Sequence, residues 1–487
     1  MSRLSEHNLP ESTRRFDYDR AAITAGILHF GIGNFHRAHQ AVYCDELLNA
    51  GDTQWGITGV SLRSSAMRKA LKPQDYLYTL AVLGEATEYR IIGAIKNVLV
   101  APDEPRAVID LIAKETTQLI SSTITEKGYG LASGKVDFQQ TELDSLDSPT
   151  TIYGFLACGI IQRSQTIQPP AKLTIMCCDN ISRGGDYLKE GVLHLLQRHD
   201  PEALVWAQEN VSFVSSMVDR VCPATDDALR ERVLEETQRA DAWPVSAEPF
   251  SQWIIEGNFA GERPNFDRVG AVFVDDIAPF ETMKLRYLNA AHTIASTLGY
   301  LSGDVFVHEA LEQPDVFTFM RQALYETVLP NAAVPEGYDG ASYIEDVIKR
   351  FQNSSLPYAN LQVGTDSSQK IQQRWFPTID QALSQNTEVS YFEFCLGAWI
   401  VFIQTALEND ALNDPKKADF IHVHTLDSSE IVMEYLRIAG AKKFKFYTND
   451  AFITAVKQHA SNIKMNGIKW TLTEFLNSKE KNEADNA

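Results

Sequence analysis

The stretch ETMKLRYLNAAH, residues 281–292, sets Glu281, Lys284, Arg286, Asn289 and His292 among Met, Leu, Tyr and Ala. On an α-helix turning about 100° per residue, with Lys284 at 0°, Glu281 falls at ~60°, His292 at ~80°, Asn289 at ~140° and Arg286 at ~200°. All of these groups except Arg286 therefore share one side. That side also carries Leu285 and Leu288, so it is not the solvated face that alternating charge marks. A lysine on such a side either snorkels to solvent or has its pKa lowered by burial until it can exchange a proton near neutrality.

A second set lies nearer the N-terminus. In HFGIGNFHRAH, Gly31 and Gly33 stand between a strand-like run and an amphipathic stretch. Glycines there permit a tight turn and let backbone amides approach a pyrophosphate. Gly31, Gly33, Asn34 and Phe35 are accordingly cofactor-binding candidates, against the alternative of a strand-to-helix turn that holds nothing. The third glycine of the dinucleotide pattern is missing, because His36 takes its place. His36 and His39 form an HxxH with no carboxylate or cysteine at ligand spacing, and His422 and His424 merely alternate, so no metal is expected.

Three further runs end on polar residues. SLRSSAM brings Arg63 to the place where an NAD-binding fold often carries an acid for the ribose hydroxyls; a 2′-phosphate could be tolerated there, against the plain reading of a solvated Arg, so this stretch leaves NAD against NADP undecided. MCCDNISRGG ends on Asp179 and Asn180; an asparagine there can donate to an oxygen that gains negative charge or close an Asx turn. SSMVDRVCP ends on Asp219 and Arg220, whose plain reading is a local ion pair.

These residues need a frame to bring them together. GILHFGIG, WGITGVSL, LISSTITEKGY, KLTIMCCDN and VSFVSSMVD read as strands interleaved with amphipathic helices, which implies an α/β fold with a parallel sheet and crossovers. In such sheets ligands bind beyond the carboxyl ends of the strands, where the polar residues fall. After about residue 280 the runs MKLRYLNAAHTIASTLGYL, VFTFMRQALYETVL, ASYIEDVIKRFQN and YFEFCLGAWIVFIQTALEND are helical in period. The division expected is residues 1–279 for the sheet domain and 280–487 for a mainly α-helical domain. A chain of 487 residues exceeds what one core usually serves, in keeping with two domains.

Composition excludes several partners. A net charge of -20 argues against nucleic acid and anionic membranes, while a local cluster of Lys and Arg can still hold a small anion at contact distance. The N-terminus lacks the charged and apolar pattern of a signal peptide, and no run of about eighteen apolar residues suggests a span. The six cysteines are scattered without a CxxC, which reads as reduced thiols in a cytoplasmic protein. No exposed apolar stripe demands a partner chain, so a monomer is expected and an oligomer stays open.

Taken together, GIGNFHRAHQA, TEKGY, CDN, MVDRVCPAT, EPFSQWIIEGNF and KLRYLNAAH resemble, in order, the polyol-specific long-chain dehydrogenases, the mannitol dehydrogenase family. The resemblance implies a Rossmann-type dinucleotide-binding domain followed by a helical domain, with the 281–292 helix lining a cleft between them. It implies an NAD- or NADP-dependent, metal-independent transfer of hydride between a ketone and a secondary alcohol. By the same resemblance Lys284 is the general acid and base, Asn180 and Asn289 bracket the reacting oxygen, His292 orients the substrate, Glu281 passes the proton to solvent and Asp219 lines the substrate pocket.

Substrate choice follows from details of the resemblance. TEKGY carries Lys127, as is usual among fructuronate reductases. LQVGTDSSQKIQQR is similar to the QIAMDGSQKLPQR type of those reductases, with Gln362 where mannitol dehydrogenases tend to carry a polyol-binding Arg. Lys127, Lys370 and Arg374 would also suit a carboxylate. Two departures stand against this: SLPYANLQ lacks the His and Arg usual in the reductases, and SLRSS differs from their second-strand ending. Reduction of D-fructuronate to D-mannonate is the expected activity, with a mannitol or other polyol dehydrogenase as the alternative and a non-catalytic nucleotide sensor as the remote one.

Overall fold

The structure, a computed structural model, describes residues 2–11, 13–132, 135–167, 171–424 and 428–486. It divides into two compact units, Met1–Ala278 and Pro279–Ala487.

The first unit is built on an eight-stranded sheet. Its spatial order is Val272–Val274, Gln252–Glu256, Val211–Asp219, Leu173–Cys177, Leu119–Ser122, Ile27–Phe30, Ile57–Ser61, Ile95–Val100. Neighbours from Val211–Asp219 to Ile95–Val100 pair in parallel, and Gln252–Glu256 joins antiparallel, with Asp219 opposite Gln252. Strands such as ILHF and LTIMC are buried at every position, as expected when helices cover both faces. One face packs on a cluster around Trp55, Leu47 and Trp253, the other on one around Phe30, Phe155 and Leu188.

Topology selects the ligand end of this sheet. The chain runs outward from Ile27–Phe30 through Ile57–Ser61 to Ile95–Val100, then returns to place Leu119–Ser122 on the opposite side of Ile27–Phe30. The order reverses beside the first strand. Open α/β sheets bind ligands at such a reversal, beyond the carboxyl ends of the strands.

The second unit is helical. Its core gathers around the Ser390–Glu408 helix, whose side chains from Tyr391 to Ala406 are nearly all buried. That helix is long and apolar enough to cross a membrane, and here its apolar residues are the core itself. The Asp450–Asn466 helix packs along it.

The expected α-helix over residues 281–292 is not continuous. An α-helix over Ala278–Met283 gives way to a π-turn over Lys284–Asn289, and α-helix resumes over Ala290–Ser302. Spacing by 100° per residue therefore misplaces the polar groups. A π-turn bonds residue i to i+5, so Lys284 and Asn289 come nearly into line along the helix instead of being separated by ~140° as on an α-helix. Such turns recur at functional sites.

Candidate active site

In the first unit the site begins where the Ile27–Phe30 strand ends. Gly31 has φ +99°, and a Cβ there would stand 2.1 Å from the Thr123 carbonyl oxygen. Only glycine meets both conditions. Thr123 in turn donates its hydroxyl to the Gly31 carbonyl at 2.7 Å, which locks the turn to the neighbouring strand's end. Gly33 differs: its φ is -80°, and a Cβ would meet nothing within 4 Å. Its missing side chain leaves open space at the start of the next helix.

That space belongs to a cavity of about 550 Å³. Gly31, Gly33, Ser61, Arg63, Thr123 and Lys127 are among the residues that line it, from the ends of the three strands around the reversal. Its size suits a cofactor. The positive-φ turn, the open side of Gly33 and two exposed cations, Arg63 and Lys127, fit a dinucleotide with its phosphates.

Asn34 and Phe35 sit in the same turn with their side chains engaged elsewhere. The Asn34 amide donates to Thr225 Oγ1 at 3.0 Å, and its oxygen accepts from Arg37 at 2.8 Å. Phe35 stacks on His39 with centroids 5.1 Å apart. Neither residue lines the cavity. His36 is fully buried and stacks on His29 at 3.5 Å, and burial holds the His29 imidazole at about 3 and that of His36 well below its ordinary value. His29 bonds Ser121 and Thr123 at 2.7 and 2.8 Å. His39 meets the Gln252 carbonyl at 2.9 Å. The HxxH is thus two rings packed into separate contacts beneath the turn, and His36 fills with an imidazole stack the space a third glycine would have left.

Asp179 and Asn180 follow the Leu173–Cys177 strand. Asp179 accepts from the backbone N–H of Ile124 at 2.8 Å, from that of Thr125 at 2.9 Å and from the Tyr129 hydroxyl at 2.6 Å. Burial raises its pKa, and these three donors oppose the rise. It is the clamp that shapes the TEKGY segment. Asn180, next to it, is exposed. Asp219 closes the Val211–Asp219 strand and is buried. The local ion pair expected of Arg220 gives way to backbone bonding: its guanidinium donates to the carbonyls of Glu248 at 3.0 and 2.9 Å and of Ala38 at 2.6 Å.

The second unit carries the rest. Lys284 is only 8% exposed, beside Met283, Tyr287 and Leu288, which are buried. Glu281, Asn289 and His292 are half-buried. The His292 ring lies against Phe351 and Tyr358, with centroids 4.7 and 5.2 Å away, so SLPYANLQ supplies a ring that holds His292. Arg286 turns toward Thr378, at 2.9 Å.

Two segments pack against this helix: Asn360–Val363, which presents Gln362 to solvent, and Ser367–Arg374, which carries Lys370 and Arg374. Arg374 Nη1 donates to the Asn289 carbonyl at 3.2 Å and to Thr293 Oγ1 at 2.7 Å. It therefore anchors the end of the π-turn. Lys370, one helical turn earlier, donates to the Val363 carbonyl at 3.2 Å. Burial, and then the neighbouring Arg374, push Lys370 down to about 8, and burial pushes Arg374 down to about 10. Asp366 and then Asp414 act in the opposite direction on Lys370 without reaching ion-pair distance. Neither cation forms an ion pair with a carboxylate among the described residues.

The second unit thus brings Lys284, Asn289, His292, Gln362, Lys370 and Arg374 to one helix and the elements packed on it. Lys127, grouped with Lys370 and Arg374 by charge, lines the cavity of the first unit. Sequence reasoning left Asp179 as one of two polar residues at a strand end and did not single out Thr123 or Tyr129.

Comparison with known proteins places these features in a wider set. The family model described as Mannitol dehydrogenase Rossmann domain matches residues 25–268, and that described as Mannitol dehydrogenase C-terminal domain matches residues 276–464. D-mannonate oxidoreductase of Escherichia coli is 33% identical over 472 residues, 94% of this chain and 96% of its own. Mannitol 2-dehydrogenase of Phaeosphaeria nodorum is 31% identical over 474 residues, 94% of this chain and 82% of its own. Among solved structures, Pseudomonas fluorescens mannitol 2-dehydrogenase in ternary complex with NAD and D-mannitol has TM-score 0.82 and 33% identity, covering 98% of this chain and 99% of its own.

Proposed function

The chain belongs to the mannitol dehydrogenase family, and from that premise we propose that it reduces D-fructuronate to D-mannonate, reversibly. As a member it is a nicotinamide dinucleotide-dependent oxidoreductase acting on CH–OH groups. The observation that carries the substrate reading is the pair Lys370 and Arg374. Two like charges one helical turn apart repel each other, and taking them partly out of water costs more unless an anion joins them. With no carboxylate of the protein in ion-pair contact, a carboxylate on the substrate would complete the cluster, and a neutral polyol would not.

A nicotinamide cofactor held in the first unit would supply the hydride for the carbonyl carbon. Lys284 Nζ–H gives its proton to the carbonyl oxygen as negative charge develops there, and takes it back in the oxidative direction. Burial is what makes this exchange feasible, since a lysine in water holds its proton at neutral pH. The side-chain amide of Asn289 donates to the same oxygen, where a fixed dipole acts most strongly on developing charge. His292, steadied by Phe351 and Tyr358, binds a substrate hydroxyl. Glu281 returns the proton from solvent to Lys284. Asp219 contacts the sugar, Gln362 offers a neutral amide, and Lys370 and Arg374 hold the carboxylate.

Oxidation of NADH and NADPH by the purified chain, with D-fructuronate and D-fructose side by side, tests the reading. Turnover of fructuronate with little of fructose supports it. A second reading, interconversion of D-mannitol and D-fructose, is favoured by the likeness to Pseudomonas fluorescens mannitol 2-dehydrogenase. Turnover of fructose alone would establish that reading and reduce Lys370 and Arg374 to structural cations.

A further inference from the structure

The carboxyl end of the Ile57–Ser61 strand carries no acid. Ser61, Leu62, Arg63 and Ser64 all line the dinucleotide cavity there, at the place where a Rossmann-type fold meets the adenosine ribose. An Asp or Glu at that place accepts from the ribose hydroxyls and repels a 2′-phosphate. Here Arg63 presents an exposed guanidinium instead.

Among the described residues no ion pair engages Arg63, while the neighbouring Arg68 pairs with Asp103 at 3.0 Å and with Glu104. Ser64 Oγ accepts the Ala66 N–H at 3.1 Å, which leaves its hydroxyl hydrogen to donate outward. Two carboxylates do line the cavity, Asp137 and Glu142, but both come from the chain beyond the Leu119–Ser122 strand. Glu142 is moreover satisfied by the backbone and hydroxyl donors of Thr150 and Thr151.

We propose that Arg63 and Ser64 form a 2′-phosphate subsite, so that this chain binds NADP(H) at least as tightly as NAD(H). The Arg63 guanidinium donates to the phosphate oxygens, a charge-assisted contact that planar donors make well, and the Ser64 hydroxyl adds a second donor. The subsite concerns the cofactor alone and stands whether the sugar is a uronate or a polyol.

Calorimetric titration of the full chain with NADP⁺ and with NAD⁺, without sugar, tests it. The expected result is a Kd for NADP⁺ equal to or below that for NAD⁺. Arg63→Ala should weaken NADP⁺ by roughly 10- to 100-fold more than it weakens NAD⁺, as loss of one charge-assisted contact to the 2′-phosphate implies. Ser64→Asp should reverse the order by placing a carboxylate beside the ribose. A wild-type chain that binds NAD⁺ more tightly than NADP⁺ would overturn the subsite. So would an Arg63→Ala variant that loses both cofactors equally.

Discussion

Replacing Lys370 by Met should make the protein more stable and less active, and both magnitudes follow from its surroundings. The ammonium is pushed from 10.5 down to about 8, first by burial and then by Arg374. Holding it charged in the folded state at neutral pH costs on the order of 2–3 kcal/mol. Methionine keeps the stem and removes the charge, but gives up the bond to the Val363 carbonyl at 3.2 Å, which is worth about 1 kcal/mol. The net gain is on the order of 1–2 kcal/mol, a rise of roughly 2–8 °C in the second unit's Tm.

The sign with pH is fixed by the direction of the shift. Between about 8 and 10.5 the unfolded chain binds more protons at this site than the folded chain, so the stability of the wild type rises with pH across that window. The variant's advantage is therefore full below the lower value and gone above the upper one. Loss of one charge-assisted contact to a carboxylate should meanwhile lower kcat/KM for D-fructuronate by roughly 10- to 150-fold. Differential scanning calorimetry at neutral and alkaline pH, with steady-state kinetics beside it, reads both effects. A variant that is less stable at neutral pH, or that loses activity toward fructose and fructuronate by the same factor, would refute the reasoning.

Four other expectations rest on separate contacts. Gly31→Ala meets the Thr123 carbonyl at 2.1 Å and an unfavourable φ, so it should lower Tm sharply. Gly33→Ala meets nothing within 4 Å and should leave Tm nearly unchanged while weakening cofactor binding by calorimetry. Asp179→Ala frees the N–H groups of Ile124 and Thr125 and the Tyr129 hydroxyl; a loss of roughly 2–4 kcal/mol in denaturant unfolding is expected, with raised hydrogen exchange over residues 123–129. Lys284→Ala should lower kcat at least ~10³-fold, as removal of a group acting on the reacting oxygen does, with cofactor Kd unchanged; activity equal to the wild type would remove Lys284 from the mechanism.

Much of the frame was legible because its signals are local. The strand-like runs and Gly31 declare a turn at a strand's end, since only glycine adopts that backbone there, and the polar strand ends mark the ligand side of a parallel sheet. The π-turn was not legible. No residue type encodes an i→i+5 bond, and what anchors this one, Arg374 at the Asn289 carbonyl, lies 85 residues away in the chain. The role of Asp179 was hidden for the same reason, as its donors Ile124 and Thr125 are 55 and 54 residues distant. Arg220 shows the converse: its sequence neighbour Asp219 invites an ion pair, and its guanidinium is satisfied instead by the Glu248 and Ala38 carbonyls, which only the fold brings near. Lys127 could be grouped with Lys370 by charge but not assigned to a surface, because charge carries no address.

The most direct measurement is a crystal structure of the ternary complex with D-mannonate and oxidised cofactor. The expected map shows the sugar carboxylate within hydrogen-bond distance of Lys370 and Arg374, with the reacting hydroxyl against Lys284 Nζ. A carboxylate bound away from both cations, or a crystal that takes up D-mannitol and excludes D-mannonate, would contradict the uronate assignment.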